Sequence, residues 1–229
     1  MNLLVLILAR KGSKRLKGKN MMLIKKKSLI SHTIDFAKKI VKKDRILLFT
    51  DDKKIQNLGK KKNIIFEIKR PKRLSLDKTN PSETSLYAIK KYNKIFKKKI
   101  DSVVLLQPTT PFRKVSTFKK CLKIFKKNIN SPLIGVAKIK KNISEKLDQY
   151  CLNKISQQIN NKYLKNVFQF KSKNYYYFVN GSYYFISLKK LKSKKSYISN
   201  NFTKYFIKTT KENLDIDNVQ DLNLARHLL

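Results

Sequence analysis

Residues 4–20 read LVLILARKGSKRLKGKN, six apolar residues set directly against a segment that carries six cations and two glycines. The apolar half is too short to cross a membrane, which takes about 20 residues. Its order is the reverse of a secretory leader, where cations precede the apolar stretch, so a soluble, cytoplasmic protein is expected. A continuous apolar run of strand length suits a strand buried on both faces at the centre of a parallel sheet. The cationic half then leaves the carboxyl end of that strand, where open α/β sheets bind ligands. Residues 28–43, SLISHTIDFAKKIVKK, follow with Leu29, Ile30, Thr33, Ile34 and Ala37 at helical spacing and Ser28 as candidate N-cap. The order is strand, loop, helix.

The alternation continues outward. RILLFT (45–50) reads as a strand, DKKIQNLGKKK (52–62) as a short helix and NIIFEI (63–68) as a strand. A polar connection, KRPKRLSLDKTNPSE (69–83), leads to a helix over TSLYAIKKYNKIFKK (84–98). DSVVLLQ (101–107) is a strongly apolar strand ended by the Pro-bracketed PTTP, with a helix over 115–127 and the strand LIGVAKI (133–139) after it. Such spacing predicts right-handed βαβ units and a mainly parallel Rossmann-like sheet in a three-layer α/β sandwich, as one domain over 1–229. From about 140 to 180 helical periodicity fades. QYCLN (149–153), NVFQF (166–170) and NYYYFVNG (174–181) read as short strands joined by turns, an inserted antiparallel lobe. SYYFISLKKL (182–191) and KYFIKT (204–209) return to strand-like runs, and NVQDLNLARHLL (218–229) closes as an amphipathic helix.

Composition narrows the function classes. The formal charge is +41, from 55 Lys and Arg against 14 Asp and Glu, which raises a nucleic-acid partner. The lysines, however, fall in nearly every polar slot instead of one stripe, so a bias across the whole chain is the better reading. The alternative, a basic nucleic-acid-binding protein, predicts salt-sensitive polynucleotide binding. Cys121 and Cys151 lie thirty residues apart without metal-ligand spacing and read as reduced, buried thiols. With two histidines, His32 and His227, on helical patterns and no nucleophile beside them, His-based chemistry is not expected.

Three polar stretches lie at strand ends. The first loop offers Arg10, Lys11, Lys14, Arg15, Lys17 and Lys19, with Ser13 and the permissive Gly12 and Gly18; guanidinium, ammonium and free backbone N–H groups are what a polyphosphate needs. It lacks the P-loop and dinucleotide spacings, and a plain solvated loop is the alternative. LLQPTTPFR (105–113) supplies the Gln107 amide, the Thr109 and Thr110 hydroxyls and Arg113, as a reader of a base or sugar or as a stiff turn with a surface cation. LDIDNVQDL (214–222) gathers Asp215, Asp217 and Asp221 in a chain poor in acid. On extended backbone Asp215 and Asp217 share a face; near a polyphosphate the pair suits Mg²⁺, or Asp217 merely caps the final helix. Asn180–Gly181 reads as a β-turn.

Taken in order, these segments resemble the acylneuraminate cytidylyltransferase family, the CMP-sialic acid synthetases and their legionaminic and pseudaminic acid relatives. ILARKGSKRLKGKN is similar to the family's A-R-x-G-S-K-x-x-x-x-K-N opening, RPKRLSLDKT to its Arg-Pro segment, LLQPTTPFR to L-Q-P-T-[ST]-P-x-R, NGSYYFI to N-G-A-x-Y-[IV], and DIDNVQDLNLAR to its closing D-I-D motif. The resemblance implies a Mg²⁺-dependent nucleotidyltransferase: the anomeric hydroxyl of a nine-carbon α-keto acid sugar attacks the α-phosphate of CTP and pyrophosphate leaves, in the service of glycan synthesis. It implies catalytic roles for Arg10, Lys19 and Asp217, nucleotide contacts from Ala9, Arg10, Ser13, Lys14, Lys19, Asn20, Arg70 and Ser82, and substrate contacts from Gln107, Thr109, Lys146 and Asn180. Asp215 and Asp217 would hold Mg²⁺, and the 140–180 lobe would form a homodimer. Phe178 and Val179 stand where many sialic-acid enzymes have Arg-Pro, which tilts the acceptor away from N-acetylneuraminate. CMP-KDO synthetase is the nearest alternative, though its opening loop commonly runs R-L-P-G-K-P, unlike Lys19–Asn20 here.

Overall fold

Leu3–Ala9 forms strand β1, and its uninterrupted apolar composition places it between two parallel neighbours with both faces covered. In the computed structural model, which describes residues 1–13, 15–65, 68–141, 144–160, 172–198, 202–207, 209 and 211–228, β1 leads through a loop to a two-residue hairpin, β2 (Leu23–Ile24) and β3 (Lys27–Ser28), and to α1 (Leu29–Ile40). Then come β4 (Ile46–Thr50), α2 (Lys53–Lys61), α3 (Pro81–Ile95), β5 (Ser102–Leu105), α4 (Val115–Lys127) and β6 (Leu133–Lys140). The chain closes through α5 (Glu145–Ile159), β7 (Tyr175–Ser187), α6 (Leu188–Lys194), β8 (Thr203–Ile207) and α7 (Val219–His227).

The sheet order is β4-β1-β5-β7-β6-β8. β1 runs parallel to β4 and β5, and β6 parallel to β8, while β7 is antiparallel to both of its neighbours, β5 and β6. Alternate residues of β1 feed two cores. Val5, Ile7 and Ala9 pack with Ile30 and Ile34 of α1 and Phe118 of α4, whereas Leu4 and Leu6 pack with Ile89 and Tyr92 of α3 and Leu191 of α6. Each such fully buried side chain contributes about 1.5–3 kcal/mol. The result is the expected three-layer α/β sandwich. Among the described residues no helix is long and apolar enough to cross a membrane.

Helix starts follow the caps in the sequence. Ser28 accepts from Ser31 N at the head of α1, as the spacing predicts, and Asn80 caps α3 with Pro81 in its first turn, three residues before the expected start. The expected strand over 63–68 reduces to a single bridge, Leu47 with Ile65, among the described residues; Phe66 and Glu67 lie outside them.

The antiparallel lobe expected over 140–180 is corrected. QYCLN is not a strand but the middle of α5, capped by Ser144. Leu147, Tyr150, Cys151, Lys154 and Ile155 form its buried face, and a lysine at a core position is what hid the helical period. NVFQF lies outside the described residues. NYYYFVNG and SYYFIS are not separated by a turn; they are one 13-residue strand, β7, held between β5 and β6, and SLKKL ends in α6 instead of continuing as strand. Asn180–Gly181 is a bulge within β7: Tyr184 pairs with Ile134 and Val179 with Val136, so four residues of β7 face Gly135 alone. Gly135 is required there, because a Cβ would lie 2.5 Å from Ser182 Oγ and 2.7 Å from Asn180 Oδ1.

Candidate functional site

The chain leaves β1 toward β4 on one side, while β5 flanks it on the other. The carboxyl ends of β1 and β5 therefore border the crevice in which open α/β sheets bind ligands. A cleft of about 340 Å³ lies there, within the size range of small-molecule sites.

One wall is the loop after β1. Its base is closed by Asn20 Nδ2 donating to the Arg10 carbonyl (3.1 Å), and its start is fixed by Lys11 N donating to Asp51 Oδ1 (2.8 Å). Gly18, with φ +66°, turns the chain into a 3₁₀ turn at Lys19–Met21. Arg10 reaches across the cleft to an ion pair with Asp77. Arg70 is tied to the carbonyl of Leu74, with Nε at 3.0 Å; burial lowers its pKa, opposed by the Asp51 charge.

The other wall is the turn after β5. Buried Arg113 clamps it, donating to Gln107 O (2.7 Å), Thr110 O (2.6 Å) and Ser182 O (2.7 Å). Arg113 is thus neither a ligand-facing guanidinium nor a surface cation. Burial pulls its pKa down to about 10, partly offset by the Tyr183 and Asp215 neighbours, so it stays charged at neutral pH. With its backbone held this way, the turn points Gln107 and Thr109 into the cleft.

Behind the cleft runs the acidic segment. Ile216 N donates to Thr109 O (2.8 Å), Asp215 N to Tyr150 Oη (2.7 Å) and Asp217 N to Asp221 Oδ2 (2.7 Å). The helix cap is Asn218, which forms a reciprocal capping box with Asp221; Asp217 is not the cap. Asp217 Oδ1 receives Lys19 Nζ (2.9 Å) and Arg15 Nη2 (3.2 Å), and its Oδ2 receives Lys154 Nζ (2.8 Å). Burial pushes this carboxyl up, but Lys154 and Lys19 outweigh it and hold the pKa at about 2. Asp215 goes the other way: burial first, then the Asp217 charge, raise it against the pull of Lys154, the nearby Thr109 hydroxyl and Lys19. Its Oδ1 is buried with no hydrogen-bond partner, as is the Thr109 hydroxyl. A buried carboxylate oxygen without a donor, beside a second carboxylate and a cleft of phosphate-binding character, fits Mg²⁺, which takes one or two carboxylates and completes its shell with phosphate oxygens and water.

Of the residues expected at the site, Arg10, Ser13, Lys19, Asn20, Arg70, Gln107 and Thr109 line this one cleft, and Asp217 joins it through Lys19. Ala9 is buried at the end of β1, and Ser82 is buried in the first turn of α3, its N–H bonded to Asn80 Oδ1 (2.8 Å). Lys14 lies outside the described residues. Lys146 is exposed on the first turn of α5, along a separate groove between α5 and α7. Asn180 is wholly buried and committed to the bulge: it donates to Asn213 Oδ1 (2.7 Å) and accepts from Ser182 N and Oγ.

Two participants escaped sequence reasoning, and the Asp of the RPKRLSLDKT motif gains a partner. Gly181, with φ +71°, touches the site where Asn180 does not; a Cβ there would lie 2.9 Å from Asp215 Oδ2 and 3.3 Å from Gln107 Oε1. Asp77, the motif's Asp, pairs with Arg10 across 67 residues of chain. Lys154 was legible only by reading 145–159 as a helix, which puts a lysine on the buried face in need of a carboxylate.

A family model described as cytidylyltransferase matches residues 4–228. Over 128 residues, 55% of this chain and 54% of the relative, the chain is 37% identical to CMP-N,N'-diacetyllegionaminic acid synthase of Legionella pneumophila subsp. pneumophila (strain Philadelphia 1). Over 226 residues, 97% of this chain, it is 24% identical to N-acylneuraminate cytidylyltransferase of Escherichia coli O18:K1:H7 (strain RS218), of which 51% is covered. The matched segments thus span about half the length of these curated relatives. A solved CMP:2-keto-3-deoxy-manno-octonic acid synthetase complexed with CTP superposes with a TM-score of 0.67 at 14% identity, over 100% of this chain and 98% of that one; at that identity the likeness shows the fold.

Proposed function

We propose a function for this chain from the family it belongs to, the cytidylyltransferases: transfer of CMP from CTP to the anomeric hydroxyl of a sialic-type nonulosonic acid. The acceptor oxygen forms a bond to the α-phosphorus, the α–β anhydride bond breaks, pyrophosphate leaves and the hydroxyl proton passes to solvent. The observation that carries this reading is the convergence on one cleft of Arg10, Ser13, Lys19 and Gln107, with Lys19 bonded in turn to Asp217.

The residues do electrostatic and positioning work, the main requirement of phosphoryl transfer. Arg10 and Lys19, with the backbone N–H groups at Gly12 and Ser13, take up triphosphate charge. Gln107, held by the Arg113 clamp, presents an amide to base or sugar. Asp215 and Asp217 would hold Mg²⁺, which when bound lowers the charge on the triphosphate and polarises the reacting phosphate. The higher identity to the legionaminic acid synthase than to the N-acylneuraminate enzyme, together with Phe178 and Val179 before the bulge, favours a legionaminic-type acceptor. Pyrophosphate release from CTP and Mg²⁺ with N-acetylneuraminic, legionaminic, pseudaminic and KDO acids in parallel tests this. Turnover with the legionaminic acid is expected, and release with none of the four overturns the reading.

A further inference from the structure

Asp217 is held by two lysines of opposite character. Lys154 is 3% exposed and bridges Asp217 Oδ2 (2.8 Å) and Asp221 Oδ2 (3.3 Å), with the Tyr150 ring 5.4 Å from its ammonium. It lines neither the cleft nor the groove between α5 and α7. Lys19, on Oδ1, lines the cleft beside Arg10 and Ser13, and Arg15, sharing that oxygen at 3.2 Å, has a side chain 57% exposed. Lys19, though its side chain is only 14% exposed, opens onto the cleft, and Arg15 stands in solvent, so a phosphate in the cleft can compete with Asp217 for both.

We propose that Lys154 is the permanent positioning residue of Asp217 and Lys19 its exchangeable counter-ion, so that polyphosphate in the cleft releases Asp217 Oδ1 for a divalent cation. This rests on the nucleotidyl-transfer reading above. The charges support it: three carboxylates, Asp215, Asp217 and Asp221, face three cations, Lys19, Arg15 and Lys154. When Lys19 and Arg15 turn to phosphate, two positive charges leave the carboxylates, which a divalent cation restores. Before that, both oxygens of Asp217 are engaged, while the buried Oδ1 of Asp215 has no hydrogen-bond partner. Nucleotide entry thereby assembles the metal seat, which keeps the cation from settling without its substrate.

The test is Mn²⁺ binding to the full chain, followed by the loss of the free-ion paramagnetic resonance signal, with no nucleotide present. Lys19→Met is expected to bind Mn²⁺ about tenfold more tightly than wild type, a factor worth roughly 1.4 kcal/mol, because Oδ1 then keeps only Arg15, whose side chain is 57% exposed. Equal affinities overturn the exchange. In turnover assays Lys154→Met is expected to lower kcat about tenfold with KM for CTP unchanged, and Lys154→Arg to restore most of it. A KM for CTP that rises as much as kcat falls overturns the positioning role, as does failure of Lys154→Arg to recover a variant that still folds by circular dichroism. Should Lys154→Met not fold, the Lys154→Arg kinetics and the Lys19→Met affinity decide. The Mn²⁺ measurement needs no CTP, so its failure sinks the exchange alone, whereas absence of turnover with every acceptor sinks the functional reading alone.

Discussion

The loop after β1 and the acidic segment 213–221 meet at the Lys19–Asp217 ion pair, yet they are built on opposite principles. The loop is largely exposed, carries glycines, and spends few of its side chains on itself. The segment is tied down along its length: Tyr150, Thr109 and the capping box hold its backbone, and Lys154 holds Asp217 and Asp221 from behind. A cationic partner that can move faces an anionic partner that cannot. Buried charge of this kind is costly unless paired, so rigidity on the acidic side is a condition of its being there at all. Arg15, 57% exposed, carries no such requirement, and Lys19, though only 14% exposed, borders the cleft where a ligand could take it over.

The contrast can be broken from either side. The largest effect is expected for Asp217→Ala, which removes the rigid anion: pyrophosphate release should fall by about 10²–10³-fold, the scale of losing a charge-stabilising group, while circular dichroism reports a folded chain. Next is acid. Asp217 has a pKa near 2 against an ordinary value of 3.8, so its pairs stabilise the fold fully above about pH 4 and are lost as the pH falls through 2. The contribution is of order 2 kcal/mol, and Asp217→Asn should flatten that limb of a urea-denaturation pH series. Gly181→Ala places a side chain at φ +71° and against Asp215; a stability loss of about 1–2 kcal/mol in thermal melts is expected from the left-handed backbone alone. Ser144→Ala removes the α5 cap and with it about 1 kcal/mol. The smallest effect should come from the loop. Lys17→Ala, at an exposed position of the loop, should change stability by less than about 0.5 kcal/mol and leave KM for CTP unaltered.

Much of the fold was readable because burial and period coincide in it. β1, α1 and α4 keep apolar residues at the spacing of their own secondary structure, and caps such as Ser28 mark their ends. The reading failed where a charged or polar residue occupies a core position. Lys154 interrupts the apolar stripe of α5, so the helix looked like irregular strand. Asn180–Gly181 carries turn chemistry but is stretched between β5 and β6, where the pairing of both flanks outweighs the local preference. The same competition sets the surroundings of Asn180, expected as a substrate contact: its amide is engaged by Asn213 and Ser182, and its neighbour glycine makes the approach to Asp215.

By itself, the order of residues in LVLILARKGSKRLKGKN determined a buried strand ending in a cationic loop, and the alternation beyond it determined a mainly parallel α/β sheet with that loop at its ligand-binding edge. These are local properties, set by hydrophobic period, glycine and charge over a few residues. The motif resemblance already singled out Arg10 and Lys19 among the many cations; the tertiary structure decided what they pair with, Asp77 and, 198 residues away, Asp217, and it alone brought Lys154 to the two carboxylates of the closing segment. In a chain with a formal charge of +41 a cation's neighbours in sequence are nearly always other cations; its role is set by the scarce carboxylate that folding brings to it.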